Sequence, residues 1–173
     1  MEEVLGRIDP NKGLTDAIEI AKKTGLPLKI AGFTGFVPPS YWDEMKALMT
    51  PPLIEYIGEV DDAQKNTFLG QATALLFPIQ WDEPFGIVMI EALACGTPVI
   101  AYARGSVPDI ISDGVNGFVV SSIEQAVAAV ERLHTLSRRQ CRASFEQHFT
   151  AQGMAQQYLA LFTHLIQQAQ AKK

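Results

Sequence analysis

The sequence predicts an α/β fold: a doubly wound, Rossmann-like parallel sheet of about six strands with helices on both faces, followed by helices at the carboxyl end. Three observations carry this. Short apolar runs alternate with stretches of helical periodicity through position 134. The runs at 74–78 and 99–103 are apolar without a polar alternate, as expected of strands covered on both faces. Gly, Pro and Asp punctuate the junctions between these segments.

In order, residues 4–8 read as the first strand. Residues 14–23 make an amphipathic helix with Leu14, Ala17, Ile18 and Ala21 on one face, and Gly25 and Pro27 close it. Residues 28–31 are the second strand, 32–39 a Gly/Pro loop, and 41–49 a surface helix that ends before Pro51 and Pro52. The third strand is 54–57, and Asp61 or Asp62 is suited to cap a helix that runs to about Gln71. Strand 74–78 leads directly into the loop 80–86, a short helix 87–94, and a stop at Gly96, Thr97 and Pro98. Strand 99–103, a short helix at 107–112, turns at Asp113-Gly114 and Asn116-Gly117, and strand 118–120 follow. Ser122 is placed to cap a helix over 124–136; residues 138–147 and 151–169 are helical.

The chain of 173 residues fits a single domain with a full-size core. Its net charge of −5 argues against non-specific nucleic-acid binding, which needs a basic face. Any diphosphate must therefore be met by local cations and helix N-termini rather than by the overall field. Cys95 and Cys141 are expected to be packed free thiols. The start lacks the pattern of a signal peptide, and no apolar run is long enough to span a membrane, so a cytoplasmic location is expected.

Residues 83–98, EPFGIVMIEALACGTP, are the most informative stretch. Apart from Glu91 the helix at 87–94 is apolar on every side, which predicts burial and a carboxylate in need of a partner. The free N–H groups of its first turn fall near Gly86 to Met89 and make an anion site. Gly86 lets a ligand approach the backbone. One element thus offers a phosphate cradle, a carboxylate before it (Glu83) and another one turn in (Glu91). A sugar nucleotide has the matching form. The loops after strand 4–8, with Arg7 and Lys12, and after strand 99–103, with Arg104 to Ser106, lie at the same carboxyl ends of strands, where ligands of such sheets sit.

The pair Glu83-x7-Glu91 within EPFGIVMIEALACGTPVIA resembles the nucleotide-binding domain of retaining, family-4 (group 1) glycosyltransferases of GT-B fold. GRIDPNKG at 6–13, IAG at 30–32, YIGEV at 56–60 and RGSVPDIISDGVNGFVV at 104–120 fall in the order and spacing of that family's other signatures. Asp109 departs from the pattern, where Glu is usual after Pro. The resemblance implies one donor-binding, carboxy-terminal domain over 1–173, with 151–173 a terminal helix that crosses back to an amino-terminal domain this sequence lacks.

It further implies that a UDP-, GDP- or ADP-sugar is the donor, that no divalent metal or other cofactor is needed, and that a missing amino-terminal domain binds the acceptor. Glu83, Arg7 and Lys12 take catalytic roles. Gly6, Arg7, Lys12, Gly13, Glu83, Phe85, Gly86, Ile87, Val88 and Glu91 contact the donor, with Glu91 on the ribose. The plain alternatives are surface cations at Arg7 and Lys12, a solvated loop carboxylate at Glu83, and an internal ion pair of Glu91 with Arg7, Lys12 or Arg104. His134, His148 and His164 share no metal-ligand spacing, and Asp82 reads as a solvated charge. Met154, Tyr158, Leu161, Phe162 and Leu165 form a stripe suited to a core, to that second domain or to a homodimer. A non-catalytic nucleotide- or phosphate-binding module, or a sugar phosphorylase or epimerase of the same fold, are the rival functions.

Overall fold

The computed structural model describes residues 1–171. Six strands form one sheet in which every pairing is parallel: β1 (Glu2–Leu5), β2 (Leu28–Ala31), β3 (Ile54–Gly58), β4 (Ala74–Phe77), β5 (Val99–Tyr102) and β6 (Gly117–Val120). Their order is β3-β2-β1-β4-β5-β6, so the winding reverses between β1 and β4. The helices are α1 (Leu14–Thr24), α2 (Pro39–Leu48), α3 (Asp62–Gln71), α4 (Ile87–Ala94), α5 (Val107–Ile110), α6 (Ile123–Glu131), α7 (Arg138–His148) and α8 (Ala151–Ala171).

Side chains alternate across the strands and feed two cores. Val4, Ile30, Ile54, Leu76 and Phe118 pack on one face with Leu14 and Ile18 of α1 and Met45 of α2. Leu75, Phe77 and Val99 pack on the other with Phe68 of α3, Met89 of α4 and Cys141 of α7. Local chemistry sets the helix ends. Asp61 and Gln64 make a reciprocal capping box at α3, and the Ser122 side chain accepts from Gln125 N at α6. Gly25 closes α1 with φ +68° and its N–H on the Ala21 carbonyl. Cys95 and Cys141 are both free thiols.

Three expectations are corrected. The first strand runs over Glu2–Leu5, because Gly6 takes φ +145° and ends it, while Ile8 is buried beyond the strand. Glu2 and Glu3 therefore sit in a strand flanked on both sides, where Glu2 pairs with Leu28 and Ala74. Alternation sends them to opposite faces, and they are 0% and 1% exposed. Both Glu2 carboxylate oxygens and Oε2 of Glu3 lack hydrogen-bond partners. Burial pushes Glu2 up to about 7, against the pull of the chain's amino group. It pushes Glu3 up to about 8, against Lys29 and the same amino group.

The second correction is that the helix begun at Ser122 ends at Glu131 and tightens into a 3₁₀ turn at Leu133–Thr135, as helix ends often do. The third is that α8 contributes no buried side chain among the described residues: Met154, Tyr158, Leu161, Phe162 and Leu165 are each at least half exposed, so the stripe is not a core of this domain. A contact without a sequence signal is Arg138, whose guanidinium donates to Ala72 O (2.6 Å), Gly70 O (2.8 Å) and Thr97 Oγ1 (2.8 Å). It ties α7 to the end of α3 and to the turn into β5. Among the described residues, no helix is long and apolar enough to cross a membrane.

Candidate functional site

The reversal between β1 and β4 leaves a crevice at their carboxyl ends, and two loops enter it. After β1, the Asp9 side chain accepts from Asn11 N (2.9 Å) and organises a 3₁₀ turn, Pro10–Lys12. Gly13 closes the turn with φ +71°, and a β-carbon there would overlap the Pro78 carbonyl. After β4, the segment leading to α4 is pinned from both sides. Gln80 N donates to Asn11 O (2.8 Å), Ser106 N to Glu83 O (2.9 Å) and Ser106 Oγ to Phe85 O (2.8 Å). Gly105 lets the β5–α5 loop lie directly on the Asp82–Glu83 backbone, where a side chain would collide. Its glycine thus serves loop packing rather than approach to a ligand.

These loops enclose a cleft of about 410 Å³. Gly6, Arg7, Lys12, Glu83, Phe85, Gly86, Ile87 and Val88, eight of the ten predicted site residues, line it, with Leu5 and Phe77 at its base. Lys12 Nζ donates to Glu83 Oε2 at 2.6 Å, and Trp81 Nε1 donates to the same oxygen at 3.0 Å. The ammonium also stands 5.3 Å from the Trp81 ring centroid. The Glu83 side chain is only 13% exposed and held by two donors, and among the described residues its Oε1 makes no hydrogen bond. The solvated-carboxylate alternative does not hold. Trp81 and Lys12 thus hold the same carboxylate oxygen of Glu83.

Arg7 stands at the rim, 53% exposed, and reaches Asp9 at 3.5 Å. Gly86 precedes α4 with φ +74° and no capping side chain. The N–H groups of Ile87 and Val88 therefore have no intrahelical acceptor. With Lys12 and Arg7 they present positive charge from two sides.

The other two predicted residues stand apart. Gly13 is buried beneath the cleft, and its part is to bring the Lys12 turn against Pro78. Glu91, one turn into α4, does not line the cleft. Its carboxylate pairs with Lys65 of α3 at 3.1 Å, and the two side chains are 32% and 28% exposed. Donating hydrogen bonds to the Glu91 and Asp62 carboxylates raises the Lys65 pKa. The internal pair foreseen for Glu91 thus exists with a different cation, because α3 packs beside α4 while Arg7, Lys12 and Arg104 lie elsewhere. The expected burial of α4 on every side is also corrected. Met89, Ala92 and Leu93 are buried, but Ile87 is 63% exposed and Val88, Ile90 and Glu91 are half-buried. The helix covers the sheet with one face, and its apolar outer face meets the cleft and the approach to α8.

The family described as Glycosyl transferases group 1 has a sequence profile that matches residues 4–150. The chain belongs to the group 1 glycosyltransferases. The glycogen synthase of Mycobacterium tuberculosis is 27% identical to it over 173 residues, covering 90% of this chain and 41% of that protein. Anabaena Alr3699/HepE, solved in complex with UDP-glucose, matches with TM-score 0.82 at 20% identity, covering 94% of this chain and 48% of that one. The C-terminal domain of a group 1 glycosyl transferase, LpcC from Francisella tularensis, matches with TM-score 0.75 at 21% identity, covering 87% and 86%. This glycosyltransferase chain thus spans less than half of such a curated relative, while it matches most of a solved carboxy-terminal domain. The GT-B type of doubly wound fold expected from the sequence is the one observed.

Proposed function

We propose that this domain binds the nucleoside-diphosphate sugar of a retaining glycosyl transfer. The observation that carries this reading is the Lys12–Glu83–Trp81 constellation, which faces the uncapped N-terminus of α4 across one cleft at the sheet's switch point. A diphosphate held there meets Lys12, Arg7 and the Ile87 and Val88 amides, donors that also stabilise it as charge develops on departure. Glu83 keeps one oxygen for the sugar. Its other oxygen is engaged by a cation and an indole, which holds the carboxylate in place beside the sugar. Glu91 stands outside the cleft lining with Oε1 on Lys65, and its Oε2 is the oxygen proposed to accept from the ribose hydroxyls.

The donor is UDP-, GDP- or ADP-linked and needs no divalent metal. The acceptor is bound largely by an amino-terminal domain, across the cleft between the two domains, in an enzyme that works in the cytoplasm. The exposed stripe of α8, which forms an apolar groove of about 880 Å³ with Phe85, Ile87, Ile90 and Phe149, packs on that domain; a second copy of this chain is the other occupant.

Calorimetry with UDP and GDP, with and without a chelator, tests the reading. Binding is expected in both conditions; loss on chelation overturns metal independence, and no binding of either nucleotide overturns the site. Lys12→Ala is expected to weaken UDP about tenfold while leaving uridine unchanged, the scale of one charge-assisted hydrogen bond. Equal loss for both would show damage to the cleft's shape instead.

The Glu91–Lys65 pair is partly solvated and worth about 1 kcal/mol or less, so Glu91→Gln is expected to move Tm by no more than about 2–4 °C. The same variant is expected to lower nucleotide affinity. A large fall in Tm with unchanged affinity would reduce Glu91 to an ion-pair partner.

A further inference from the structure

We infer that a second cleft, at the carboxyl ends of β5 and β6, is a carbohydrate subsite that holds a neutral, hydroxyl-bearing ring of the acceptor. The inference rests on the reading of the neighbouring cleft as the donor site. This second cleft measures about 550 Å³, within the range of small-molecule sites.

Its floor is a polar contact shared by three elements. Asp16 Oδ2, in the first turn of α1, accepts from Tyr102 Oη of β5 at 2.8 Å and from Gln80 Nε2 of the β4–α4 loop at 2.9 Å. Tyr102 is 7% exposed, and burial together with the Asp16 carboxylate raises its pKa, so the phenol stays a donor and the carboxylate stays in place. Asp16 lines the cleft, and among the described residues its Oδ1 makes no hydrogen bond.

The rim carries charged groups of both signs. Arg104, Asp82 and Glu124 line the same cleft, yet among the described residues none of them forms an ion pair. A ring hydroxyl both donates and accepts, so adjacent hydroxyls can satisfy a carboxylate and a guanidinium together. A phosphate or uronate would face three carboxylates against one guanidinium, which selects for a neutral ring. Ile123 adds an apolar patch for the C–H face of such a ring.

Position relates this cleft to the reaction. The segment 80–83 is a wall common to both clefts: Gln80 and Asp82 line the second, Glu83 the first. A ring seated beside Asp82 is therefore one residue away from the carboxylate that holds the transferred sugar. The wall is rigid, since Ser106 N and Asn11 O fasten it from opposite sides.

The test is a ¹⁵N-correlation titration of this chain, saturated with UDP, by methyl α-glycosides of glucose, mannose and galactose, with glucuronate as the charged control. At least one neutral glycoside is expected to shift the amides of Gln80, Asp82, Arg104 and Ser121. Arg104→Ala and Asp82→Asn, both exposed side chains without ion pairs, are expected to weaken that response about tenfold and leave UDP affinity unchanged. Three outcomes overturn the inference: no shift from any glycoside at hundreds of millimolar, shifts confined to the donor cleft, or tighter binding of glucuronate. In the same spectra UDP alone should shift Gly6, Lys12, Gly86 and Ile87. Silence there overturns the donor reading and the acceptor assignment with it; a UDP response without a glycoside response overturns the subsite alone.

Discussion

Gly13→Ala is expected to destabilise the domain by about 3–5 kcal/mol, a large share of a typical total of about 5–15. Two costs add. The residue sits at φ +71°, where a β-carbon strains the backbone by about 1–2 kcal/mol. The new methyl would also overlap the Pro78 carbonyl, and backbone cannot rotate away as a flexible side chain can. Because that contact seats the Lys12 turn against the segment leading to Glu83, nucleotide binding should fall beyond what the lost stability explains. Gly25→Ala is the internal control: φ is +68°, and nothing stands within 4 Å of the added carbon. Urea melts of the two variants separate conformational strain from steric overlap. Equal destabilisation would show that the Pro78 contact relaxes freely, and Gly13 would then matter only for its dihedral angle.

Stability is expected to fall as pH rises from about 5 to 8, the opposite of ordinary acid denaturation. Burial pushes Glu2 and Glu3 of the folded chain up to about 7 and about 8, against the usual 4.5. Well below pH 4.5 both states hold these protons and the contribution is fully present. Above it the unfolded chain releases protons that the folded chain keeps, so stability declines until pH passes the folded values. For Glu2, which is wholly covered, the loss is about 3 kcal/mol at the alkaline end. Glu3 borders a crevice beside α3 that solvent enters, and its share is smaller. Glu2→Leu should therefore raise Tm at pH 8 and flatten the profile, with little effect at pH 5. A wild-type Tm that is level or rising between these values would show that water or a shift of β1 solvates the carboxylates.

The same two residues mark where sequence reading stopped. Their charge placed the strand's start later than it is, since pattern alone does not say that both neighbours of β1 will be strands. The sheet itself was legible because continuous apolar runs, capping residues and glycine stops are local signals, and Asp61, Ser122 and Gly25 act as those signals imply. The cleft was legible as well: Arg7, Lys12, Glu83 and the loop before α4 share the carboxyl ends of β1 and β4. Pairings were not. Lys65 finds Glu91 across 26 residues, and Asp16 finds Tyr102 across 86. Arg138 reaches carbonyls whose need for a donor depends on how three helices meet. Such contacts follow from packing, and a lone sequence carries no mark of them.

The placement of β1 has a consequence for the order in which the molecule assembles. Its Glu2 joins Leu28 through one short crossover, but joins Ala74 only after three further elements have been laid down. The entropy of closing the longer loop is met before that pairing returns anything, so the seam between the two half-sheets forms late. The cleft proposed for the nucleotide lies at that seam. Refolding chains therefore regain helical signal before they regain ligand, a lag that stopped-flow dichroism against nucleotide fluorescence would resolve. Partly unfolded molecules, in turn, lose recognition while most of their secondary structure persists.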